Sequence, residues 1–163
     1  EVDFRRLLDD VALLAYPEAE QHAVNIKRVV FPEPLLIKAD LDLMKQALLN
    51  VVINGIQSMS QGGQLTIKAH REENAAVAEI CDQGPGIAPE VQDKIFELYF
   101  TTKKDGSGIG LAQTYQILQW HYGTVEFQSA AGEGTTFRFR VPLAASSLDA
   151  EADAAAQANP VIS

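Results

Sequence analysis

Two glycine clusters limit the possible folds of this chain more than any other feature, because each places a conformationally free backbone segment next to a predicted strand or helix. The first follows an extended pattern at residues 82–86 (DQGPG), and the second precedes a helical pattern at residues 106–110 (GSGIG). Glycine allows positive φ and lets backbone amides approach an anion closely. A glycine run that opens a helix adds the helix dipole to those free amides, which favours a phosphate group. The pattern therefore predicts a nucleotide site with a mobile lid between two glycine hinges.

Length and composition place the chain among ordinary globular domains. Its 163 residues can bury one core, and 47% hydrophobic with 21% charged residues is a common balance. The net charge of −9 argues against a nucleic-acid surface and against a polybasic membrane anchor. No apolar run reaches the roughly 18 residues of a membrane span. The single cysteine, Cys81, excludes an internal disulfide, and the start at Glu1 rather than Met leads us to expect a fragment.

Hydrophobic periodicity divides the chain into four helical and six extended stretches. The predicted helices are residues 3–15, 41–59, 90–98 and 111–122. The predicted strands are residues 25–31, 35–39, 64–70, 75–82, 124–129 and 135–141. We expect Pro17 to end the first helix, Asp40 to cap the second, and Gly123 to end the last.

Two local patterns predict how these segments are connected and where the domain ends. The prolines in residues 32–34 predict that the first two strands pair as a hairpin. Beyond the last strand the composition shifts to Ala, Ser, Asp and Glu, which is typical of a flexible terminus or linker. The chain is therefore predicted to hold one domain at residues 1–143 and a tail at residues 144–163.

Three amide side chains at regular spacing interrupt the largely apolar helix predicted at residues 41–59. Gln46, Asn50 and Asn54 recur at four-residue spacing, so they lie on one face. This pattern is also typical of buried amides that are satisfied by backbone groups. In the functional interpretation their side-chain oxygens face a magnesium–phosphate cluster, because Mg²⁺ prefers hard oxygen ligands, with water and phosphate completing the shell. The pattern alone leaves both interpretations open.

Asp82 ends a predicted strand and is followed at once by glycines. On a two-residue period Asp82 shares a face with Ile80, so we expect its carboxylate to point inward. An Asp before Gly84 and Gly86 is also typical of a plain strand-to-turn junction. The functional interpretation is a buried carboxylate that accepts a hydrogen bond from an adenine amino group, because an unpaired buried charge is costly.

The segment between the glycine clusters, residues 87–105, is predicted to form the lid. Phe96, Tyr99 and Phe100 are typical of core anchors for its short helix, and they are also candidates for contact with an acceptor domain. Lys103 is either a surface residue or a point charge that reaches a phosphate.

The order of these motifs is more specific than any one of them. N-x-x-x-N, D-x-G-x-G, F-T-T-K and G-x-G-I-G-L follow one another over about sixty residues. This order resembles the ATP-binding catalytic domain of two-component sensor histidine kinases, in the superfamily shared with gyrase, Hsp90 and MutL ATPases. The resemblance runs from residue 2 to residue 143. The run I-F-E-L-Y-F-T-T-K resembles the nitrogen-sensor subtype, although Leu98 and Tyr99 stand where that subtype has Pro-Phe.

The resemblance implies an α/β two-layer sandwich of the Bergerat type. Its sheet would be mixed, with about five strands and three main helices on one face, and ATP would lie between the layers. The implied activity is transfer of the γ-phosphoryl group of Mg-ATP to a histidine on a separate, upstream dimerisation domain. A response regulator would act downstream. The implied fragment is monomeric and cytoplasmic, in a homodimeric parent whose membrane attachment is left open.

The resemblance also implies roles for single residues. Asn54 would ligate magnesium with Asn50 assisting at the phosphates, and Asp82 would read the adenine. Thr135 matches the threonine that supports this aspartate. The implied catalytic residues are Asn50, Asn54 and Lys103, and the implied metal ligands are Asn54 and Asn50. The implied cofactor-binding residues are Asp82, Gly84, Gly86, Ile87, Thr102, Gly106, Ser107, Gly108, Ile109, Gly110, Leu111 and Thr135.

Two departures from the superfamily pattern bear on the chemistry. Many relatives carry Lys or Arg shortly after the second Asn, whereas Gln57 and Ser58 stand here. That phosphate contact is therefore either missing or supplied elsewhere, with Lys103 as one candidate. The hydrolysing members and the serine kinases carry Glu where Asn50 stands. An amide cannot act as a general base near neutral pH, whereas a neutral imidazole is already nucleophilic. Asn50 therefore favours transfer to histidine over hydrolysis.

Three histidines are present, and none fits the acceptor pattern of a His followed by an acidic residue on a long helix. His22, His70 and His121 are therefore interpreted as structural. The alternatives to a histidine kinase are an ATPase or serine kinase of the same superfamily, and a nucleotide-sensing interaction module without transfer activity.

Overall fold

Four helices and seven strands follow one another in the part of the chain that our computed structural model describes, residues 1–97 and 110–145. In chain order they are β1 (Val2–Asp3), α1 (Phe4–Gln21), β2 (Val24–Val30), β3 (Leu36–Ile37), α2 (Leu41–Ser58), β4 (Gly63–Glu72), β5 (Ala75–Cys81), α3 (Pro89–Gln92), α4 (Gly110–Trp120), β6 (Thr124–Ala130) and β7 (Gly134–Pro142). Five strands form a mixed sheet in the order β2-β4-β5-β7-β6, and β1 pairs with β3 in a separate ribbon.

The helices α1, α2 and α4 pack on one face of the five-stranded sheet. Alternation along β7 shows why, since Phe137, Phe139 and Val141 are buried on the helix side. Arg138 and Arg140 point to the opposite face, where Arg138 forms ion pairs with Glu72 and Glu79. The predicted two-layer sandwich is therefore confirmed. No helix in residues 1–97 or 110–145 has the length and apolar character needed to cross a membrane.

The first helix does not stop at Pro17, contrary to our prediction. It begins after Asp3, whose side chain accepts a hydrogen bond from the Arg5 amide, and it continues to Gln21. Pro17 lies on the exposed side of this helix. Ala15 and Ala19 on the opposite side are almost fully buried. Packing on both sides of the proline therefore outweighs its local preference to end a helix.

The predicted hairpin across residues 32–34 is also wrong. The strand β2 runs parallel to β4, in the register Val24↔Gly63, whereas β3 pairs antiparallel with β1. The Leu35 amide donates to the Asp3 carboxylate (3.2 Å), and the Leu35 carbonyl accepts from the Phe4 amide (2.8 Å). Leu35 is fully buried, and these two hydrogen bonds hold β3 beside the start of α1 and away from β2.

The ends of the three later helices also differ from the predicted boundaries. The helix α2 begins after Asp40, which caps it as predicted, and ends at Ser58 rather than residue 59. The predicted helix at 90–98 is reduced to α3, followed by turns whose bonds span only three residues, such as Lys94 N to Val91 O (2.9 Å). These tighter turns place Ile95 in the core. The helix α4 ends at Trp120, and the chain turns through a positive φ of 57° at Tyr122 before Gly123.

The described chain continues past β7 through two buried residues. The Leu143 amide donates to the Asn74 carbonyl (2.8 Å), and the Ala144 amide donates to the Leu36 carbonyl (2.7 Å). Both side chains are nearly inaccessible to solvent. Most of the predicted tail, residues 146–163, lies outside the described residues, so the domain division stays a prediction.

Candidate functional site

Asp82 follows β5 and is half-buried beside α2. The stretch along α2 from Asp82 past Asn54 and Asn50 to Gly110 is the candidate cleft. The carboxylate Oδ1 of Asp82 accepts hydrogen bonds from the backbone amides of Gly84 (2.9 Å) and Thr135 (3.2 Å). Burial raises the pKa of the Asp82 carboxyl above its usual range, and these two hydrogen bonds partly oppose that rise. Neither bond involves Oδ2, which keeps acceptor capacity for an N–H donor. The arrangement fits a desolvated carboxylate that recognises a ligand.

The loop after Asp82 presses against the turn between β6 and β7. Gly86 has a φ of 80°, and a Cβ there would lie 2.3 Å from the Ala130 carbonyl oxygen. A Cβ on Gly84 would lie 2.4 Å from the Ser58 hydroxyl oxygen. The Gly132 amide also donates to the Pro85 carbonyl (2.8 Å). The positive φ and the backbone contact therefore require glycine at position 86, whereas at position 84 an added Cβ would meet a side-chain atom, the Ser58 hydroxyl oxygen.

Gly55 brings α2 close to the carboxylate. A Cβ at this position would lie 2.7 Å from the Leu65 side chain and 3.4 Å from the Asp82 Cβ. Residue 55 was missed at the sequence level, although a glycine inside a strongly apolar helix is itself a signal of close packing. Gly55 directly follows Asn54, so α2 meets the carboxylate within one residue of its amide series.

Ser129 on β6 is a second residue that sequence patterns did not reveal. Its hydroxyl accepts from the Ile87 amide (2.7 Å) and contacts the Thr135 hydroxyl (2.8 Å). Thr135 therefore reaches Asp82 through its backbone amide, while its side chain contacts Ser129. Only the strand register, which pairs Ser129 with Thr135, brings these two hydroxyls together. The side chain of Gln92 adds a bond to the Ile87 carbonyl (3.0 Å).

The amide face of α2 meets the start of α4 at the other end of the cleft. Gln46 donates to the Gln113 side chain (2.9 Å), and the Asn50 side-chain nitrogen donates to the Gly110 carbonyl (3.3 Å). With its nitrogen used in this way, Asn50 keeps its side-chain oxygen for another partner. Asn54 lies one turn further along α2, between Asn50 and the cleft end that holds Asp82.

The structure thus brings part of the predicted site together. Asn50 and Asn54 lie on α2, Asp82 lies beside the same helix at Gly55, and the Thr135 amide donates to Asp82. Leu111 packs against the core in the first turn of α4. The remaining predicted contacts lie outside the described residues; they are Thr102, Lys103, Gly106, Ser107, Gly108 and Ile109.

A metal in this cleft would depend on oxygen donors other than a carboxylate cluster. In residues 1–97 and 110–145, no three His, Cys, Asp or Glu side chains are grouped to hold a metal ion. The amide oxygens of α2 are neutral hard donors, which fit a Mg²⁺ ion that takes most of its ligands from phosphate and water. The residues present therefore suit Mg²⁺ only as a companion of a bound polyphosphate.

The three histidines make local structural contacts. His22 Nδ1 lies 3.0 Å from the Glu18 carbonyl oxygen, and His70 Nε2 lies 3.4 Å from the Glu72 carboxylate. His121 Nδ1 lies 2.7 Å from the Ile117 carbonyl oxygen, and its Nε2 accepts from the Asp40 amide (3.0 Å). These contacts explain each histidine through its surroundings in the fold.

Comparison with known proteins adds the decisive observation. Residues 39–145 match the sequence family described as "Histidine kinase-, DNA gyrase B-, and HSP90-like ATPase". This chain belongs to that ATPase family. The matched region begins one residue before the cap of α2 and ends beyond β7, so it contains Asn50, Asn54, Asp82 and Thr135.

Curated relatives of this ATPase domain are named as kinases. The chain is 33% identical over 142 residues to sensor histidine kinase ZraS of Escherichia coli (strain K12), covering 87% of this chain and 30% of the relative. It is 32% identical over 141 residues to sporulation kinase D of Bacillus subtilis (strain 168), covering 86% and 28% respectively. The chain therefore spans about three tenths of the length of these relatives. The nitrogen-sensor-like subtype stays a prediction.

Solved structures confirm the Bergerat-type fold of the ATPase domain. The catalytic domain of histidine kinase ThkA superimposes with a TM-score of 0.78 at 26% identity, covering 87% of this chain and 93% of that one. Full-length ShkA in complex with AMPPNP gives a TM-score of 0.78 at 32% identity, covering 88% of this chain and 30% of that one.

Proposed function

We propose that this chain binds Mg-ATP in the cleft between α2 and the sheet and transfers the γ-phosphoryl group to a histidine on a separate dimerisation domain. One observation carries the proposal. The chain belongs to the histidine kinase-like ATPase family, and its helix α2 has the half-buried Asp82 carboxylate beside one part and the amide side chains of Asn50 and Asn54 along another. A Mg²⁺-bound adenine nucleotide fits this arrangement, because its base carries an N–H donor for the carboxylate and the Mg²⁺ ion on its phosphates takes oxygen ligands such as amide oxygens.

At the base end, Asp82 would accept a hydrogen bond from the 6-amino group of adenine. The backbone amides of Gly84 and Thr135 hold Oδ1, which leaves Oδ2 for the ligand. Guanine presents a carbonyl oxygen at the same ring position, so it would face the carboxylate with a second acceptor. Because an unpaired acceptor in a desolvated site is costly, the site should select ATP over GTP.

At the phosphate end, Asn50 and Asn54 would face the Mg²⁺–triphosphate group. The bond from Asn50 to the Gly110 carbonyl orients the amide so that its oxygen is the available donor atom to a cation. The glycines at 106–110, with Thr102 and Lys103, would supply further phosphate contacts. Bound Mg²⁺ would supply charge neutralisation, while these residues supply position.

The identity of residue 50 supports transfer to histidine. An asparagine cannot remove a proton from water or from a serine hydroxyl near neutral pH. A histidine acceptor does not need that help, because neutral imidazole already has a nucleophilic lone pair. The acceptor would lie on an upstream dimerisation domain of a homodimeric parent protein, and a response regulator would receive the phosphoryl group next. The catalytic chain itself would be a cytoplasmic monomer.

A phosphotransfer assay tests this proposal. The chain is incubated with the parent's helical dimerisation domain and with ATP labelled on its γ-phosphate. We expect acid-labile, base-stable phosphate on the helical domain, and we expect Asp82→Asn to reduce it strongly when ATP is limiting. Bound ATP without any transfer would refute the kinase activity. Steady hydrolysis by the chain alone, lost on Asn50→Ala, would instead favour an ATPase.

A further inference from the structure

Thr114 places a hydroxyl inside the apolar contact between α2 and α4. Of the residues described at 1–97 and 110–145, only Thr114 and Thr135 are polar and buried, and Thr114 is fully inaccessible. Its hydroxyl lies 2.9 Å from the Gly110 carbonyl oxygen and 3.2 Å from the Ala47 carbonyl oxygen. The hydroxyl proton of Thr114 is therefore shared between two carbonyl oxygens, that of Gly110 at the start of α4 and that of Ala47 in the middle of α2.

The stability of the fold does not require the Thr114 hydroxyl. Each of the two carbonyls lies within a helix and can accept its regular bond from the residue four positions later, so neither is left unsatisfied without Thr114. Valine has the same branched shape and would fill the space without burying a polar group. Ile117, one turn along α4, shows that an apolar side chain suits the same buried face.

The hydroxyl does, however, fix the carbonyl on which Asn50 depends. The Asn50 side-chain nitrogen donates to the Gly110 carbonyl oxygen (3.3 Å), the same atom that Thr114 contacts. The second contact, to Ala47, ties that carbonyl to the turn of α2 just before Asn50. The two helices are thus held in one register where the amide face of α2 begins.

We propose that Thr114 is a positioning residue for the phosphate end of the cleft. By holding the Gly110 carbonyl against α2, it keeps the Asn50 amide turned so that its oxygen faces the Mg²⁺–triphosphate group. The inference rests on the proposed nucleotide function, and it assigns Thr114 no direct contact with the nucleotide.

Binding of two ligands to the 163-residue chain separates this role from a purely structural one. Affinities for Mg-ATP and for adenosine are measured by calorimetry with the native chain, Thr114→Val and Thr114→Ser. We expect Thr114→Val to weaken Mg-ATP binding by about three- to tenfold, the effect of one lost hydrogen bond, with adenosine affinity unchanged. Thr114→Ser keeps the hydroxyl and should keep the native ratio of the two affinities. If the valine variant does not fold, Thr114→Ala takes its place with the same expectation.

Ile117→Val is the matched control, because it removes one buried methyl group from the same helix face. It should lower the melting temperature by a few degrees and leave the ratio of the two affinities unchanged. Unchanged binding of both ligands by Thr114→Val overturns the inference alone. An equal loss for both ligands also overturns it, since that result indicates a general packing role. Failure of the native chain to bind Mg-ATP would overturn the proposed function as well.

A second measurement asks whether Thr114 acts through Asn50. In the background of Asn50→Ala, the Thr114→Val change should weaken Mg-ATP binding by less than about twofold, because the amide that it orients is gone. A full three- to tenfold loss in that background would contradict the proposed route through Asn50.

Discussion

At the scale of single residues, Asp82 is a side chain whose ionised form costs the fold free energy, as expected of a residue that serves a ligand rather than folding. Burial raises the pKa of its carboxyl, so the ionised form is held less favourably in the folded chain than in water. The hydrogen bonds from Gly84 and Thr135 only partly compensate for that burial. A perturbed carboxyl in a cleft is a typical feature of a functional site. Its unfavourable ionisation should therefore be visible in the stability of the chain.

The first prediction concerns Asp82→Asn. A carboxyl whose pKa is higher in the folded than in the unfolded state destabilises the fold once it is ionised. We therefore expect Asp82→Asn, without ligand, to melt at a higher temperature than the native chain at pH 7. As the pH falls through the raised pKa towards the ordinary carboxyl value of about 3.9, the native Asp82 is protonated and the difference should shrink. Thermal melts of both chains between neutral and acidic pH measure it. A lower melting temperature for the variant at pH 7 would contradict the account.

The second prediction compares two glycines with the same backbone geometry. Gly86 and Gly132 have φ values of 80° and 79°, but a Cβ on Gly132 meets nothing within 4 Å, whereas one on Gly86 meets the Ala130 carbonyl. We expect Gly132→Ala to lower the free energy of unfolding by about 1–2 kcal/mol through strain at positive φ alone. Gly86→Ala should lower it by clearly more, because the loop must also move. Denaturant titrations of both variants decide this, and equal losses would show that the close approach does not matter.

At the scale of whole elements, sequence periodicity predicted which segments are helices and strands better than it predicted their ends. The buried faces of α2 and β7 follow directly from spacing, because burial repeats at the same period as the side chains. The end of α1 could not be predicted, since Pro17 acts locally whereas the burial of Ala19 depends on the rest of the fold. The pairing of β3 with β1 was also missed because it depends on distant residues: the hydrogen bond from the Leu35 amide to the Asp3 carboxylate joins residues far apart in sequence.

The third prediction follows from the exposed proline inside α1. Pro17 cannot donate to the carbonyl of Leu13, so Pro17→Ala should restore one helical hydrogen bond and relieve the contact of the ring. We expect the free energy of unfolding to rise by about 1–2 kcal/mol, after the greater freedom of the unfolded variant is taken into account. Pro89→Ala is the control, because Pro89 begins α3, where no amide partner is lost. No gain for Pro17→Ala relative to the control would contradict the account.

At the scale of the whole molecule, the site could be predicted in its chemistry but only partly in its assembly. Asn50, Asn54 and Asp82 were found from side-chain chemistry and spacing. Gly55, Ser129 and Thr114 were not, because their roles depend on strand register and on contact between α2 and α4. No local sequence pattern predicts which residues Gly55, Ser129 and Thr114 contact in the folded chain.

The fourth prediction concerns where the folded unit ends. A chain cut after residue 145 should keep the native free energy of unfolding to within about 0.5 kcal/mol. A chain cut after residue 141 loses the burial of Leu143 and the two backbone hydrogen bonds made by Leu143 and Ala144. We expect that cut to lower the free energy of unfolding by about 2–5 kcal/mol. Denaturant titrations of both chains test it, and similar stabilities would show that these residues do not belong to the folded unit.

The central claim is that the cleft holds Mg-ATP with Asp82 recognising the adenine, and calorimetric titration tests it most directly. The native chain should bind Mg-ATP at one site and bind Mg-GTP much more weakly. Asp82→Asn, which we expect to stay folded, should lose about tenfold to hundredfold in ATP affinity, the effect of one hydrogen bond to a charged group. Equal ATP affinity in the native chain and in Asp82→Asn would contradict the claim.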